Sequence, residues 1–483
     1  MDAFLNGLQN VINALGATIL LPVMIFFFAI ALGTKVGRAF RSAVVIGVAF
    51  IGINLVIGLM LGAIGDVSQA MVSNLNIQRD VIDVGWPSAA AIAFGSPVGL
   101  WVIPIALIVN VVLLALRLTK TLNIDLWNFW HFAFIGSLVA AATGQLVMGL
   151  VAAAVAAAIM LFFADWTGPA VQKFYNLPGV SIPHGTSSPA APLAIPLNWL
   201  LDRIPGVKDW DLDPDNIQKR FGPTFGDPMV MGLIIGLVLG VIGYLPSALS
   251  GTSSFQDFAV GTLGLGINLA AVMVLLPRMV SILMEGLIPI SESARDFMQR
   301  RASGREVYIG LDSAILIGHP AVISSALVLV PIAILLSVIL PGNRILLFAD
   351  LTVIPFVLAI LGPICRGNIA RIITIGTVVL AIGFFVGNTI APFMTQVATA
   401  AGFAIPESAA AATYIVSIAD GFIWLPLAFL LLTQSLGWIG LLIIIAALVA
   451  AWFFYLRNPR AWEASAGGPS REELEVERPA MAD

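Results

Sequence analysis

The sequence predicts an all-α polytopic membrane protein, and three observations carry that prediction. Of the 483 residues, 59% are hydrophobic and 10% are charged, whereas a soluble domain carries about 25% charged residues. Mean hydropathy is +1.00. Apolar runs recur along the chain that are long enough to cross a ~30 Å hydrocarbon core, which takes ~20 helical residues. The runs are continuous and rich in Leu, Ile, Val, Ala and Gly, unlike the ~10-residue alternating segments of a membrane β-barrel.

The first run, Val11–Gly33, has no cationic segment before it and reads as a spanning helix rather than a cleaved signal. Ser42–Ile64 and Ala89–Leu116 follow. Trp130–Ala164 is too long for one pass, and Gly144-Gln145 near its middle predicts two shorter elements meeting there. After an irregular stretch to Leu200 come Met229–Leu249, Phe258–Val280, Ser313–Leu340, Ile345–Ile364, Ile372–Phe393, Ala409–Leu432 and Trp438–Leu456. Several hold Pro or Gly-Asp breaks. Broken backbone at membrane depth is tolerated only where it is buried in protein or lines a cavity, so these breaks point to the transport path. Residues 1–456 therefore form one membrane-embedded domain with a cytoplasmic loop at 202–227. The Glu- and Pro-rich tail 457–483 is expected to be cytoplasmic and disordered.

Basic residues orient the chain. Lys35, Arg38 and Arg41 follow the first span, and no Lys or Arg precedes it, which predicts an outside N-terminus. Arg117, Lys120, the run Arg295–Arg305, Arg366 and Arg371 agree, and 395–410 has no basic residue. Arg457 and Arg460 place the C-terminus inside. An odd number of crossings is then required, about 11, with one late run re-entrant. The run interrupted by Ala419-Asp420-Gly421 is the expected hairpin.

Soluble-enzyme motifs are absent. There is no phosphate-binding Gly-Lys loop and no H-E-x-x-H, which argues against ATP hydrolysis by this chain. The single Cys365 excludes an intramolecular disulfide and a Cys-cluster metal site. No cofactor, metal or nucleic-acid partner is expected. Attention falls on polar groups in apolar surroundings, which are costly unless partnered. Asp83, Gly85 and Trp86 in V-I-D-V-G-W-P-S suit a polyhydroxylated ligand or, equally, a capped interfacial turn. His184 and Gly185 in I-P-H-G-T-S combine a donor–acceptor ring with close backbone access. Asp312 is a ligand contact or a helix cap. His131 and His319 have interfacial or structural alternatives, and Asp350 and Glu285 are acids inside apolar runs, Arg278 being a partner for the latter. Acids and histidines with an aromatic plate, and few cations in the spans, suit an uncharged sugar or polyol. Asp83-Val84-Gly85-Trp86 early and Gly310-Leu311-Asp312 late, with His184 and His319, are compatible with a repeated design.

Several motifs together carry a family resemblance: D-V-G-W-P at 83–87, W-N-x-W-H ending at His131, I-P-H-G-T-S at 182–187, D-N-I-Q-K-R-F-G-P at 215–223 and G-L-D-x-A-x-L-x-G-H at 310–319. From Val11 to Gly367 the chain resembles the galactitol-specific membrane component, enzyme IIC, of the bacterial phosphoenolpyruvate-dependent phosphotransferase system. The ascorbate branch is similar at fewer positions, among them Asp83, His131, His184 and Asp312. The resemblance implies a bacterial inner-membrane homodimer whose protomers have a scaffold and a mobile, elevator-type core. It implies uptake of a sugar alcohol, which a separate enzyme IIB, charged by enzyme IIA, phosphorylates. The site it implies comprises Asp83, Gly85, Trp86, His131, His184, Gly185 and Asp312, with Asp350 added. Cys365 lacks the loop of a phosphocysteine, so the phosphoryl carriers are expected on other chains. A proton- or sodium-coupled transporter using Asp83, Glu285, Asp312 and Asp350 is the competing expectation, and an uncoupled facilitator or scaffold is a third.

Overall fold

A computed structural model describes residues 33–75, 79–207, 227–301, 306–347, 349–403 and 412–469, with parts of 19–31 and Glu473. Most of the expected first span, most of the 202–227 loop, the motif at 215–223 and most of the tail beyond 469 lie outside the described residues. The first half comprises α1 (Val36–Leu75), β1 (Val81–Asp83), α2 (Trp86–Gly95), α3 (Gly99–Ala115), β2 (Thr121–Asn123), α4 (Trp130–Thr143), α5 (Leu146–Tyr175), β3 (Val180–Ser181) and α6 (Ala191–Leu201). The second comprises α7 (Pro228–Leu249), α8 (Phe255–Arg301), β4 (Tyr308–Gly310), α9 (Pro320–Ile339), β5 (Ile345–Leu346), α10 (Ile354–Leu358), α11 (Leu361–Ile364), α12 (Ile369–Ala400), β6 (Tyr414–Val416), α13 (Ile418–Gly421), α14 (Trp424–Leu436), α15 (Trp438–Arg457) and α16 (Pro459–Ser465). Among the described residues, 7 helices are long and apolar enough to cross a membrane, or up to 8 if a bent pair is one span. The protein is a polytopic helical membrane protein.

The elements depart from uninterrupted apolar runs where polar caps and prolines intervene. Gly144 does divide the long fourth run: it takes φ 69° and ends α4, and α5 begins at Leu146. Ala89–Leu116 is two helices, α2 and α3, bent by 90°. Ser96 makes that corner, accepting the Gly99 amide at 3.0 Å and donating to Ala93 O at 2.7 Å. Ile345–Ile364 is not a helix: Asp350, Pro355 and Pro363 divide it into β5, a 3₁₀ turn over 349–353, α10 and α11. The run around Asp420 is β6, α13 and the 13-residue α14. Conversely, α1 has 40 residues and α8 has 47, both far longer than the spans read from hydropathy. Helix-forming polar residues carry each beyond its apolar stretch.

Helices α1, α7 and α8 pack as one bundle. Its closest seam is glycine against backbone: a Cβ at Gly236 would lie 2.7 Å from Gly266 Cα, one at Gly232 2.8 Å from Leu269 O and one at Gly240 2.8 Å from Thr262 Cα. Without a hydrophobic drive between helices in lipid, close backbone approach supplies the attraction. Gly236→Val should therefore destabilise the solubilised protein by about 1–3 kcal/mol, the usual cost of overpacking. A fall in the midpoint of a thermal size-exclusion assay checks this, and an unchanged midpoint would show that the seam is slack.

The rest of the fold surrounds two three-stranded parallel sheets, ordered β5-β1-β6 and β2-β4-β3. Their exchange is reciprocal. The first strand of the early half lies between two strands of the late half, and β4, from the late half, lies between two early strands. Extended backbone inside an apolar helical protein is stable only when its polar groups are paired internally, which these short ladders achieve. At the start of the first sheet Arg344 pairs with Asp80 and holds its carboxyl below the usual carboxylate range. At the start of the second, Lys120 pairs with Glu463 at 3.3 Å. The residues following the strands' C-terminal ends meet: His131, beyond β2, touches Asp420, beyond β6.

The described start of the tail is ordered. Trp462 of α16 packs edge-on against Trp166, with ring centroids 4.9 Å apart, and its carbonyl accepts the Trp166 indole N–H at 2.7 Å. Ring contacts of Trp462 with Phe162, Trp166 and Tyr455 outweigh the polar average composition of this segment.

Candidate functional site

The site is assembled from the irregular segments that follow the strands. Asn110 of α3 fixes β2 from the side, donating to Thr121 O and accepting the Asn123 amide, both at 2.8 Å. The Asn123 side chain then accepts the Asp125 amide at 3.1 Å, and Asn128 donates to Asp125 at 2.6 Å. That turn starts α4 with Trp130 and His131 both buried. On the far side of the same sheet, across β4, the chain turns sharply after β3. Ser188 donates to Ile182 O, and the Thr186 amide donates to His184 Nδ1 at 3.3 Å. Gly185 lies flat on the His131 ring, where a Cβ would sit 2.5 Å from Cγ. No other residue fits there without displacing the imidazole.

Four titratable side chains converge at this point. His131 Nδ1 is 2.8 Å from Asp420 Oδ2, and His131 Nε2 is 3.4 Å from His184 Nε2. His184 Nε2 is in turn 3.5 Å from Asp312 Oδ1. Asp312 caps the 3₁₀ turn at 313–315 by accepting the Ala314 amide at 2.8 Å, the helix-cap alternative expected from sequence, while its carboxylate also faces His184. Trp130 lies against His131 with centroids 4.0 Å apart, and Phe356 lies parallel to His184 at 6.4 Å. The buried Trp130 indole N–H has no hydrogen-bond partner among the described residues.

Asp83, Gly85, Trp86 and Asp350 form a second cluster. Asp83 Oδ1 accepts the Gly85 amide at 3.0 Å and its Oδ2 accepts the Asp350 amide at 2.6 Å. Asp350 returns the arrangement: Oδ1 accepts the Trp86 amide at 2.7 Å, and Oδ2 accepts the Ser417 hydroxyl at 2.5 Å and the Ile418 amide at 2.8 Å. Gly85 takes φ 84°, and a Cβ there would meet Ala349 Cβ at 3.1 Å. The clusters are coupled through α13, because Asp350 holds the N-terminal end of this one-turn helix and Asp420 projects from it to His131.

Sequence reasoning thus found both halves of the arrangement but treated Asp420 only as an interruption. Its signal was available: an acid in an apolar run, like Asp350. Asp125, Asn128 and Ser417 were also outside the expected site. His319 stands apart as the N-cap of α9, its Nδ1 accepting the Ala321 amide at 3.2 Å and its ring against Phe174 at 4.4 Å. The neighbouring hydroxyl of Ser187 is used internally, donating to Phe356 O at 2.7 Å.

Chemically the first cluster offers imidazole nitrogens and carboxylate oxygens, the mixed donor–acceptor set that hydroxyl groups need. Among the described residues no lysine or arginine pairs with Asp312, Asp350 or Asp420. The arrangement suits a neutral hydroxylated molecule and gives an anion no counter-charge.

Comparison with known proteins agrees. The family model EIIC-GAT, "PTS system sugar-specific permease component", matches residues 10–409, which extends past the stretch where the resemblance was legible. The chain is 39% identical over 389 residues to the "PTS system galactitol-specific EIIC component" of Escherichia coli strain K12, covering 80% of this chain and 83% of that protein, and the protein of the same name from Escherichia coli O157:H7 matches equally. A "Putative permease IIC component" of strain K12 is 35% identical over 447 residues, 92% of this chain and 98% of that one. The chain belongs to the EIIC-GAT family of sugar-specific permease components of the phosphotransferase system.

Proposed function

We propose that this permease component binds a sugar alcohol of the galactitol type and carries it across the inner membrane for phosphorylation by a separate cytoplasmic enzyme IIB, itself charged by enzyme IIA. The observation that carries the substrate class is the His131–His184–Asp312 cluster, two buried imidazoles beside a partly exposed carboxylate with no cation. The names of its relatives support the same substrate. His131, His184, Gly185 and Asp312 contact the polyol. Asp83, Gly85, Trp86 and Asp350 frame the site, with Trp86 offering an apolar face.

The protomer works in an elevator-like way. The α1–α7–α8 bundle, built on a glycine seam, suits a scaffold, and the elements carrying the two sheets suit a mobile core. Homodimerisation through the scaffold, an outside N-terminus, an inside C-terminus and about 11 crossings complete the reading, supported by the distribution of basic residues. The membrane domain extends to 456 or slightly beyond, with the remaining tail cytoplasmic.

The test is uptake in proteoliposomes. The chain alone, under a proton or sodium gradient, should accumulate no free galactitol. Addition of phosphorylated enzyme IIB on the cytoplasmic side should yield galactitol phosphate. Rapid gradient-driven accumulation of unmodified polyol would overturn the reading in favour of a coupled transporter.

A further inference from the structure

The hydrogen bonds around the two site histidines fix where each carries its proton. His184 Nδ1 accepts the Thr186 amide at 3.3 Å. A neutral imidazole has one donor and one acceptor nitrogen, so the His184 proton is on Nε2. That nitrogen faces His131 Nε2 at 3.4 Å. Two N–H groups cannot usefully face each other at this separation, so His131 Nε2 keeps its lone pair. The His131 proton is then on Nδ1, where Asp420 Oδ2 accepts it at 2.8 Å. Asp420 and His131 are both buried, and α13 is held by Asp350 at its N-terminal end.

We propose that Asp420 is a positioning residue for substrate selection: it holds His131 in the Nδ1–H tautomer, so that His131 Nε2 and His184 Nε2–H present one acceptor and one donor to a single substrate hydroxyl. Such a pair recognises an O–H group, which donates to the first nitrogen and accepts from the second. An ether or deoxy position satisfies at most one of them. A second group that fixes the tautomer of a working histidine is a recurrent device. Asp420 lies beyond residues 10–409, the stretch matched by the family model. This inference rests on the polyol reading for its consequence but not for the tautomer itself.

The chain has only 3 histidines, so nitrogen NMR of histidine-labelled protein in nanodiscs is assignable with His319→Asn as a reference. Without ligand, His131 should appear as the Nδ1–H form. His184 and His319 should both appear as Nε2–H, since each accepts a backbone amide on Nδ1. Asp420→Ala should abolish the Nδ1–H signature and weaken radiolabelled galactitol binding by about tenfold, the scale of one lost polar interaction. Asp420→Asn, whose amide oxygen still accepts, should keep the signature and bind within about threefold of the parent. A parent spectrum with His131 as Nε2–H would overturn the proposal, as would Asp420→Ala binding like the parent. Absence of galactitol binding by the parent, with the Nδ1–H signature present, would instead remove the substrate reading and leave the tautomer standing.

Discussion

Asp312→Asn should weaken galactitol binding at least about tenfold and His184→Ala about tenfold, with the protein inserted and folded, because a hydrogen bond to a charged group is worth about 1.5–3 kcal/mol, a neutral one about 0.5–1.5 kcal/mol, and each 1.4 kcal/mol is tenfold in affinity. The two substitutions test different atoms. Asp312 uses Oδ1 for the Ala314 amide, and its Oδ2 has no donor among the described residues. Asn is as good a cap as Asp, so Asp312→Asn removes the charge offered to substrate and keeps the turn. His184→Ala additionally strands the Thr186 amide, which loses its acceptor at 3.3 Å, and should lower stability slightly as well. Equilibrium binding of radiolabelled galactitol to purified protein, with size-exclusion profiles as the folding control, reads both. Parent-like binding in both variants would exclude this cluster as the substrate site.

Much of this site was legible in the sequence because membrane proteins make polar residues conspicuous. His131, His184 and Asp312 stand out against apolar neighbours, and burial of such groups demands partners. Asp83 and Asp350 were found for the same reason. What they do was not legible. Both carboxylates accept backbone amides far away in the chain, Asp83 from Asp350, 267 residues on, and Asp350 from Trp86, 264 residues back, and such a partner leaves no trace in local sequence. The strands explain the rest. With two or three residues each, they are too short to show an alternating pattern, and β1 finds its neighbours at 345–346 and 414–416. Ile345–Ile364 therefore reads as a spanning helix although caps and prolines divide it. Asp420 was visible as an acid in an apolar run, but its partner was hidden by the same exchange, because only the pairing of β6 beside β1 carries α13 to His131.

Asp350→Ala should cost far more stability than any substitution in the histidine cluster, and this separates a residue that holds the site from one that touches substrate. Its carboxylate is fully buried and accepts from the Trp86 amide, the Ser417 hydroxyl and the Ile418 amide. Removing it strands two buried donors and one partly buried one, each costing about 1–3 kcal/mol, so a loss of about 3–9 kcal/mol is expected. Against a total stability of about 5–15 kcal/mol, that should sharply reduce the yield of folded protein and lower its thermal midpoint. Asp350→Asn should fail almost as badly, because its amide nitrogen points a donor at donors. Asp312→Asn, half-exposed and still capping, should leave the midpoint close to the parent. A well-folded Asp350→Ala protein with weakened galactitol binding alone would return Asp350 to the set of residues that touch the substrate, and would mean that Ser417 and Ile418 hold α13 in place without it.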